Sequence, residues 1–533
     1  MLFTTLFVAA SSLSTALASS VAFGKWGMHL PLPPDNAATA PNPLANTKLA
    51  SFDQLIDHKN PSLGTFAQRY WYNVDHWGGP GYPVILMTPG EIDATNYTRY
   101  TTNLTLTGMI GQRIGGAVVV LEHRYWGKSS PYPELTTASL QQLTLDNSIA
   151  DLTNFAKTVK LPFAQNASSN ADAVPWVLVG GSYSGALTAW TESLAPGTFW
   201  ASLASSAPVE AISDFWEYFN PVQRGMPQNC STDLSRVIDY LDRVMTTGSA
   251  SEVQQIKQKF GLPNVQHNDD FMAALENGPW TWQSNSPRSD AGFMQFCNYV
   301  ENVFDANTTT VPGAGGVGLQ KALDGYAKWF TEIELPGFCS ALGMFSGDNN
   351  TDCFNTYDGN SPMFTTTAVD NDIDRAWIWM TCNEPFGWWQ DGAPRGRPSI
   401  VSRLVNAQWS IRQCGLYFPP GPNGETYGIA KGKTEDQLNA RTKGWNIDEC
   451  ALKRIIFTNG EFDPWRAAGT ASGFRPRGQL QPTDQVKTNL IPGGVHCYDL
   501  IAANGVADPR VGAVQQREIE QIAEWIAQWP KKH

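Results

Sequence analysis

The chain has 533 residues, of which 37 are Lys or Arg and 49 are Asp or Glu, so that its formal net charge is −12 at pH 7. Its 42% hydrophobic and 11% aromatic residues are typical of a compact globular protein and exclude a disordered chain. The acidic balance and the lack of any run of Lys or Arg argue against nucleic acid or an anionic membrane as a partner.

The first 18 residues, MLFTTLFVAASSLSTALA, have the features of a secretory signal peptide. An apolar stretch leads to Ala16-Leu17-Ala18, which fits the small-x-small cleavage pattern, although no basic residue precedes Lys25. A buried N-terminal helix is the alternative. Residues 31–47, PLPPDNAATAPNPLANT, are rich in Pro, Asn and Ala, and the segment 19–47 is predicted to form a linker or a propeptide. No later stretch reaches the ~18 apolar residues of a membrane span, so we predict a secreted, extracellular protein with no membrane partner.

Glycosylation motifs and cysteines agree with export. Sequons of the type N-x-S/T predict N-glycosylation of a secreted chain and occur at Asn96, Asn103, Asn166, Asn229, Asn307 and Asn349. None of the eight cysteines forms a C-x-x-C pair, so neither a zinc ribbon nor a thioredoxin-type redox site has support, and no metal or cofactor is predicted. Disulfides are the default in an oxidising compartment. Cys339 and Cys353 close a short loop and are predicted to be bridged.

Short continuous apolar runs in the first half of the chain are typical of parallel strands that are buried on both faces. They span residues 83–87, 117–121 and 176–179, with a weaker run at 201–207. Helical patterns lie between them, such as the face formed by Ala186, Trp190 and Leu194. Strands that alternate with helices predict an α/β sheet.

Between residues 209 and 444 this alternation stops, and the chain is rich in helix-like periods, Trp, Gly and Pro. Apolar runs resume at 452–457 and 486–491. A final helix is predicted from a face that steps by three and four residues, formed by Ile519, Ile522, Ile526 and Trp529. We therefore predict one α/β domain, residues 48–208 and 445–533, interrupted by a large, mostly helical insertion at 209–444.

The stretch VLVGGSYSGAL at 177–187 runs from a buried strand through a Gly-Gly-Ser turn into a helix. This is the context of a nucleophile elbow, the sharp turn of the α/β-hydrolase fold that exposes a serine above the sheet. Ser182 and Ser184 both have small residues two positions away on either side, so side-chain size does not distinguish them. Ser182 directly follows the strand, whereas Ser184 lies in the first turn of the helix, and position therefore favours Ser182 as the nucleophile.

A serine nucleophile needs a base, and in this fold the chain order is Ser, then Asp or Glu, then His. Three of the seven histidines follow Ser182. His533 is the last residue, and His267 lies in the polar loop VQHNDD. His496, directly after a strand and a Gly-Gly turn, is therefore the predicted base, with a structural loop histidine as the alternative.

The acid that orients the base is expected at the end of the preceding strand, where Glu461 and Asp463 occur. Asp463 is favoured because its side chain is shorter and because Pro464 fixes the following φ. In a triad, Asp463 holds His496 in the right tautomer, and His496 accepts the proton of Ser182. Three residues in this order, each at a strand end, predict a hydrolase.

Two backbone N–H groups must also stabilise the oxyanion that such a reaction forms. The N–H of Tyr183, the residue after the nucleophile, is expected to supply the first. The loop Thr-Pro-Gly-Glu at 88–91 follows an early strand and is expected to supply the second, from Gly90 or Glu91. A plain strand-to-helix turn is the alternative for this loop.

Four motifs, GGSYSGALTAW, EHRYWGKSSP, TNGEFDPW and IPGGVHC, together resemble the serine peptidase family that includes lysosomal Pro-X carboxypeptidase and dipeptidyl-peptidase II. From about residue 52 to the C-terminal helix, the chain is most similar to the secreted fungal acid prolyl endopeptidases. The resemblance implies cofactor-free cleavage of proline-containing peptides or proteins on the carboxyl side of proline at acidic pH. It also implies a triad of Ser182, Asp463 and His496, and a helical cap, formed by the insertion, over the active site.

A proline ring is flat and apolar, so a pocket for it should be lined by aromatic faces. By the resemblance, Trp465 is well placed to line this pocket. Trp388, Trp389 and Phe386 in CNEPFGWWQ are substrate-binding candidates from the insertion. For each of these insertion aromatics, packing in the core is the alternative that we favour.

Glu91 is predicted to affect the pH dependence of activity. A charged Glu91 would oppose the oxyanion and stabilise a protonated His496, whereas a neutral Glu91 would do neither. An acid that interacts favourably with a helix N-terminus is the alternative.

Two other classes of protein share the elbow. An esterase or lipase is disfavoured because the elbow Gly-Gly-Ser-Tyr-Ser-Gly has the form of the serine carboxypeptidases and no HGGG loop occurs. A non-catalytic hydrolase-fold binding protein is disfavoured because all three triad positions are filled. The sequence leaves open whether cleavage occurs within a peptide or at its ends, as a Pro-X carboxypeptidase or dipeptidyl-peptidase would act, and what the oligomeric state is.

Overall fold

The computed structural model of the protein describes residues 30–34, 44–164, 168–303, 312–369 and 374–530. The strands of these residues are β1 (Lys48–Leu55), β2 (Thr65–Asn73), β3 (Val84–Met87), β4 (Ala117–Leu121), β5 (Trp176–Gly181), β6 (Ala201–Ser205), β7 (Ile212–Asp214), β8 (Gly387–Trp389), β9 (Ile455–Gly460) and β10 (Val486–Ile491). Eight of them form one sheet in the order β1-β2-β4-β3-β5-β6-β9-β10, and β7 and β8 form a separate parallel pair. In the main sheet β2 is antiparallel to both β1 and β4, and the other neighbours are parallel.

The α-helices of the described residues alternate with the strands and fill the long segment between β6 and β9. They are α1 (Leu106–Ile114), α2 (Leu145–Thr158), α3 (Tyr183–Leu194), α4 (Phe219–Gly225), α5 (Gln228–Thr247), α6 (Ala250–Lys259), α7 (Asn268–Leu275), α8 (Asn277–Trp280), α9 (Ala291–Val300), α10 (Leu319–Trp329), α11 (Pro362–Thr365), α12 (Arg375–Asn383), α13 (Ala407–Tyr417), α14 (Glu435–Thr442), α15 (Ala502–Ala507) and α16 (Pro509–Ala527). A turn of π-helix, Phe330–Glu334, extends α10.

The sheet is covered on both faces, which explains the continuous apolar runs of its central strands. Every residue of β3, β4, β5 and β6 is buried. Val84 and Leu86 of β3 belong to the core that contains residues of α2 and α3, and Ile85 and Met87 belong to the core that contains residues of α1 and α16. Successive side chains thus point to opposite faces. The predicted α/β-hydrolase fold, a mostly parallel sheet with helices on both sides, is confirmed.

Two details of the predicted elements differ from the structure. β1 and β2 were not predicted; β2 alternates between buried and more exposed residues because one face of this outer strand is less covered. The C-terminal helix α16 ends at Ala527, so Trp529 lies beyond it and packs edge-on against Trp200, with ring centroids 4.9 Å apart. Trp525 instead completes the buried face of the helix together with Ile519 and Ile522.

The segment between β6 and β9 is mainly helical, and its boundaries at 209 and 444 stay a prediction. It contains the disulfides Cys230–Cys297, Cys339–Cys353 and Cys382–Cys414. The predicted pairing of Cys339 with Cys353 is confirmed. Cys450 and Cys497 carry free thiols.

The predicted signal peptide, residues 1–18, lies outside the described residues. Of the predicted linker or propeptide, residues 30–34 pack against the α/β domain: Leu30 is buried, and its carbonyl accepts a hydrogen bond from the Tyr97 hydroxyl at 2.8 Å. Within the described ranges, no helix has the length and apolar character to cross a membrane.

The predicted glycosylation sites differ in accessibility. Asn96, Asn103 and Asn349 are exposed. Asn229 is partly buried, and its amide donates a hydrogen bond to Glu301 Oε2 at 3.1 Å. Asn166 and Asn307 lie outside the described residues.

Candidate active site

The turn between β5 and α3 holds Ser182 in a strained backbone conformation. Its φ of 58° and ψ of −131° lie where side-chain-bearing residues are rare, at a cost of about 1–3 kcal/mol. Two hydrogen bonds maintain the turn: the Ser182 N–H donates to the Ser205 carbonyl at 2.9 Å, and the Ser182 carbonyl accepts from the Ala186 N–H at 3.0 Å. The conformation is that of a nucleophile elbow at the carboxyl end of the sheet.

Small residues allow this turn to fold back on itself. A Cβ on Gly180 would lie 2.1 Å from the Ser184 carbonyl oxygen, and one on Gly185 would lie 2.6 Å from the Ser205 carbonyl oxygen. The Ser184 hydroxyl donates to the Gly181 carbonyl at 2.8 Å and accepts from the Gly181 N–H at 3.0 Å. The Ser184 hydroxyl therefore stabilises the turn by hydrogen-bonding the backbone of Gly181.

Hydrogen bonds join Ser182 to the two other residues predicted for the triad. The Ser182 hydroxyl lies 2.9 Å from His496 Nε2, and His496 Nδ1 lies 3.0 Å from Asp463 Oδ1. Asp463 follows β9 and His496 follows β10, so both reach the elbow from the carboxyl ends of neighbouring strands. All three side chains are buried. We refer to Ser182, His496 and Asp463 as the trio.

The surroundings of His496 set its proton arrangement. Its Nδ1–H donates to the Asp463 carboxylate, which leaves Nε2 to accept the proton of Ser182. Burial alone would lower the pKa of His496, but Cys497 and the Asp463 carboxylate raise it well above its usual range. Asp463 Oδ1 also accepts a hydrogen bond from the Trp465 N–H at 3.0 Å, which fixes the carboxylate. The arrangement makes His496 a strong proton acceptor.

A second histidine lies near the elbow in a different state. His123 Nδ1 donates to the Arg124 carbonyl at 2.9 Å, so its Nε2 accepts from the Tyr183 hydroxyl at 3.2 Å. Burial lowers the pKa of His123 to about 4, which keeps its ring neutral over most of the pH range. His123 therefore orients the Tyr183 side chain.

The loop predicted to complete the oxyanion hole packs directly against the elbow. Gly90 has a φ of 82°, and a Cβ there would lie 3.3 Å from Ser184 Cβ and 3.4 Å from Tyr183 Cδ1. Glu91 is only 2% exposed. Burial, and then the nearby Glu91 carboxylate, raise the pKa of the Tyr183 phenol. The structure thus brings Tyr183, Gly90 and Glu91 together beside Ser182.

Three of the four aromatic residues predicted to bind substrate line one crevice. Trp388, Trp389 and Trp465 line it, with further walls from Trp280, Trp377, Trp409 and Glu276. Trp388 and Trp465 meet edge to face, with centroids 6.0 Å apart. We refer to this feature as the aromatic crevice.

The aromatic crevice contacts one residue of the trio and the residue that follows Ser182. The backbone N–H of Trp465 donates to Asp463 Oδ1, and the ring of Trp377 lies 5.1 Å from that of Tyr183. Phe386 does not line the crevice: it is fully buried between Trp190 and Trp388, with ring centroids 5.4 and 4.8 Å away. Phe386 therefore packs in the core, which is the alternative that the sequence analysis gave for the insertion aromatics.

Several residues of this region were not found from the sequence. Trp280, Trp377 and Trp409 come from three different helices, α8, α12 and α13, and no local pattern marks them as neighbours; Glu276 lies in the turn just before α8. Only tertiary packing brings them to one crevice.

Several known proteins and one family model are similar to this chain over most of its length. The family model for Serine carboxypeptidase S28 matches residues 54–518. The serine protease vicPa of Bipolaris victoriae is 43% identical to this chain, with 89% of this chain and 88% of that protein covered. A probable extracellular serine carboxypeptidase of Arthroderma benhamiae is 28% identical over 86% of this chain and 64% of that protein. Among solved structures, an arylesterase shares 10% identity at a TM-score of 0.33 over 98% of this chain and 93% of that one.

The match to the family model extends from β1 to α16 and includes the elbow and the two strand ends that carry Asp463 and His496. The similarity to vicPa spans nearly the same length. The chain therefore belongs to the S28 family of serine carboxypeptidases and is a serine peptidase.

Proposed function

We propose that this serine peptidase is secreted and cleaves peptides on the carboxyl side of proline at acidic pH, through an acyl-enzyme on Ser182. The observation that carries the proposal is the hydrogen-bonded trio, with 2.9 Å from the Ser182 hydroxyl to His496 Nε2 and 3.0 Å from His496 Nδ1 to Asp463. These distances are those at which a base takes a proton from its nucleophile.

In the first half of the reaction, Ser182 Oγ attacks the carbonyl carbon of proline while its proton moves to His496 Nε2. The C–N bond then breaks, His496 gives the proton to the leaving amine, and the acyl group stays on Ser182 as an ester. In the second half, water gives a proton to His496 and attacks the ester, which releases the carboxylic acid and restores Ser182. Asp463 stabilises the imidazolium that forms in both halves.

The negative oxygen of each tetrahedral intermediate needs preorganised donors. The N–H of Tyr183, at the start of α3, is the first, and the positive end of this helix adds to its effect. The second is a backbone N–H of the loop that holds Gly90 and Glu91, which packs on the elbow. We propose the aromatic crevice, with Trp465 beside Asp463, as the pocket for the proline ring.

The acidic working range is supported by the resemblance and by the buried carboxyls discussed below, which favour the folded state in acid. The raised pKa of His496 acts in the opposite direction, because an imidazolium cannot accept the proton of Ser182. Secretion is supported by the N-terminal sequence, the disulfides and the sequons, and the Arthroderma relative is itself named as extracellular.

The proposal is tested with a proline-containing peptide that is blocked at both ends, digested at pH 4, pH 5.5 and pH 7 and analysed by mass spectrometry. We expect internal cuts after proline, faster at the two acidic pH values, and none with Ser182→Ala. Cuts after residues other than proline would refute the specificity, and a faster reaction at pH 7 would refute the acidic range. Absence of any cut, together with hydrolysis of a short-chain ester, would refute the substrate class.

A Pro-X carboxypeptidase is the second candidate, because the family model and the Arthroderma relative are both described as serine carboxypeptidases. It would release the residue after proline only from a peptide with a free carboxyl end. The same digestion, repeated with peptides that are blocked at one end only, distinguishes the endopeptidase from the carboxypeptidase. Cleavage that requires a free carboxyl end establishes the carboxypeptidase. A requirement for a free amino end would indicate a dipeptidyl-peptidase.

A further inference from the structure

Two consecutive serines at the end of β6 hydrogen-bond to Ser182 and to the residue that follows His496. The carbonyl of Ser205 accepts the N–H of Ser182 at 2.9 Å. The hydroxyl of Ser206 accepts the N–H of Cys497 at 2.9 Å, and Cys497 is the neighbour of His496 in the chain. One strand end therefore holds both the segment with the nucleophile and the segment with the base.

Asp499 adds a third connection. The Ser205 hydroxyl donates to Asp499 Oδ1 at 2.6 Å, and Asp499 lies three residues after His496. The Asp499 carbonyl in turn accepts from Gln515 Nε2 of α16 at 2.8 Å. The loop that carries His496 is thus attached to β6 at two points, through Ser206 and through Ser205.

The same hydrogen bonds hold three residues in the left-handed backbone region. Ser182, Ser206 and Cys497 have φ values of 58°, 49° and 52°, and none of them is a glycine. Each such residue costs about 1–3 kcal/mol and persists only where its surroundings determine it. The Ser206 N–H also donates to the Thr458 carbonyl of β9 at 2.7 Å, which anchors the strand end itself.

We propose that Ser205, Ser206 and Asp499 form a clamp of positioning residues, which sets the distance between the Ser182 hydroxyl and the His496 ring. The inference rests on the proposed role of Ser182 as nucleophile. All three clamp side chains are buried, so the clamp acts through the trio. Misplacement of reacting groups by about 1 Å can cost about 100-fold in rate, so removal of one clamp bond should slow the chemical step.

The clamp persists when Asp499 is uncharged. Burial raises the pKa of Asp499 to about 7, and the charge of Asp463 adds to this effect. The titratable groups that face it are Asp463, His496, Tyr100 and Glu518. At pH 5 the Asp499 carboxyl is therefore neutral, and Asn at this position keeps the oxygen that accepts from Ser205.

The chain offers a matched control on the same strand. Ser202 of β6 donates its hydroxyl to the buried carboxyl of Glu192 at 2.8 Å, as Ser205 does to Asp499. Burial raises the pKa of Glu192, too, to about 7. This pair lies at the other end of the strand, and neither Ser202 nor Glu192 has a hydrogen bond to the trio among the described residues. Ser202→Ala removes a bond of the same kind without loosening the clamp.

The test measures how fast a fluorophosphonate probe labels folded protein at pH 5, together with kcat and KM for peptide and the thermal unfolding of each variant. Ser205→Ala, Ser206→Ala and Asp499→Ala should label about tenfold more slowly or worse, with kcat reduced and KM within about twofold. Asp499→Asn and Ser202→Ala should label within about twofold of the wild type.

Equal labelling rates for the three clamp variants and Ser202→Ala would overturn the proposal, as would equally slow Asp499→Asn and Asp499→Ala. If Ser205→Ala fails to fold, the comparison of Asp499→Ala with Asp499→Asn tests the same hydrogen bond from its acceptor side. A wild type that is labelled but cleaves no peptide refutes the proposed function and leaves the clamp to be judged by labelling. A wild type that is not labelled overturns the clamp, because no activated serine is then present.

Discussion

At the scale of single residues, the two serines of the elbow have different hydrogen-bond partners. Ser182 faces His496, whereas the Ser184 hydroxyl bonds both polar groups of Gly181. We expect Ser182→Ala to abolish peptide cleavage, while Ser184→Gly or Ser184→Ala keeps most of it. The Ser184 variants should lose about 1–3 kcal/mol of unfolding free energy, because the buried Gly181 groups lose their partner. Turnover and thermal unfolding of the variants check both expectations, and an inactive, folded Ser184→Gly would contradict them.

Glu91 is the residue of the proposed oxyanion loop whose side-chain charge should affect catalysis. We propose that its charged form opposes the oxyanion and stabilises the protonated form of His496, which would lower activity. We expect Glu91→Gln to extend the active range of kcat/KM toward higher pH. Glu192→Gln, which removes another buried carboxyl, serves as the control and should leave the pH profile in place. An unchanged profile for Glu91→Gln would leave Glu91 with a structural role only.

At the scale of elements, the disulfide Cys382–Cys414 joins α12 to α13. These helices contribute Trp377 and Trp409 to the aromatic crevice. Replacing both cysteines with Ser should lower the unfolding free energy by about 2–4 kcal/mol. Because the crevice loses a restraint, KM for a proline peptide should rise more than kcat falls. Removal of Cys339–Cys353, which joins segments that contribute no residue to the crevice lining, should lower stability with little change in KM. Equal effects of the two removals on KM would contradict this assignment.

The sequence predicted those elements and site residues that are marked by a pattern of neighbouring residues. The strands β3 to β6 and β9 are buried throughout, so their sequences are largely apolar runs, and these runs locate the elbow after β5 and Asp463 after β9. β10 is less buried, and His496 was found from the chain order of the triad and its Gly-Gly turn. β1 and β2 were missed because many of their residues are exposed or only partly buried, which leaves mixed polar and apolar sequences. The aromatic crevice and the clamp unite side chains that are far apart in the chain, and periodicity carries no information about such contacts.

At the scale of the whole molecule, many acidic side chains are buried with few cations beside them. Burial raises the pKa to about 7 or 8 for Glu192, Glu210, Glu217, Glu301, Glu334, Asp374 and Asp499. A carboxyl whose pKa is higher in the folded than in the unfolded state favours folding below its unfolded pKa, and this stabilisation is lost as pH rises through the folded pKa. We therefore expect Tm to be higher at pH 5 than at pH 9, as measured by calorimetry. A higher Tm at pH 9 would contradict this expectation.

Two surface carboxyl groups limit the gain in stability at low pH. Asp324 and Asp508 have pKa values lowered by hydrogen bonds to Lys259 and Arg510, so their contribution to stability disappears as pH falls below about 4. Glu334 provides the specific test, because its buried carboxyl has a pKa of about 8. Glu334→Gln should raise Tm at pH 9 and leave it nearly unchanged at pH 5. Equal changes at both values would show that the effect is one of packing.

The position of the insertion in the chain has a consequence for biosynthesis. Ser182 precedes the helical segment, while Asp463 and His496 follow it, and 314 positions separate the nucleophile from its base. At roughly 5–20 residues per second, a ribosome needs on the order of 15–60 s to add the base after the serine has been made. During that interval the growing polypeptide has a serine with no proton acceptor. If Ser182 and His496 act as we propose, a nascent or prematurely terminated chain is inert toward its neighbours, and peptidase activity arises only when synthesis is nearly complete.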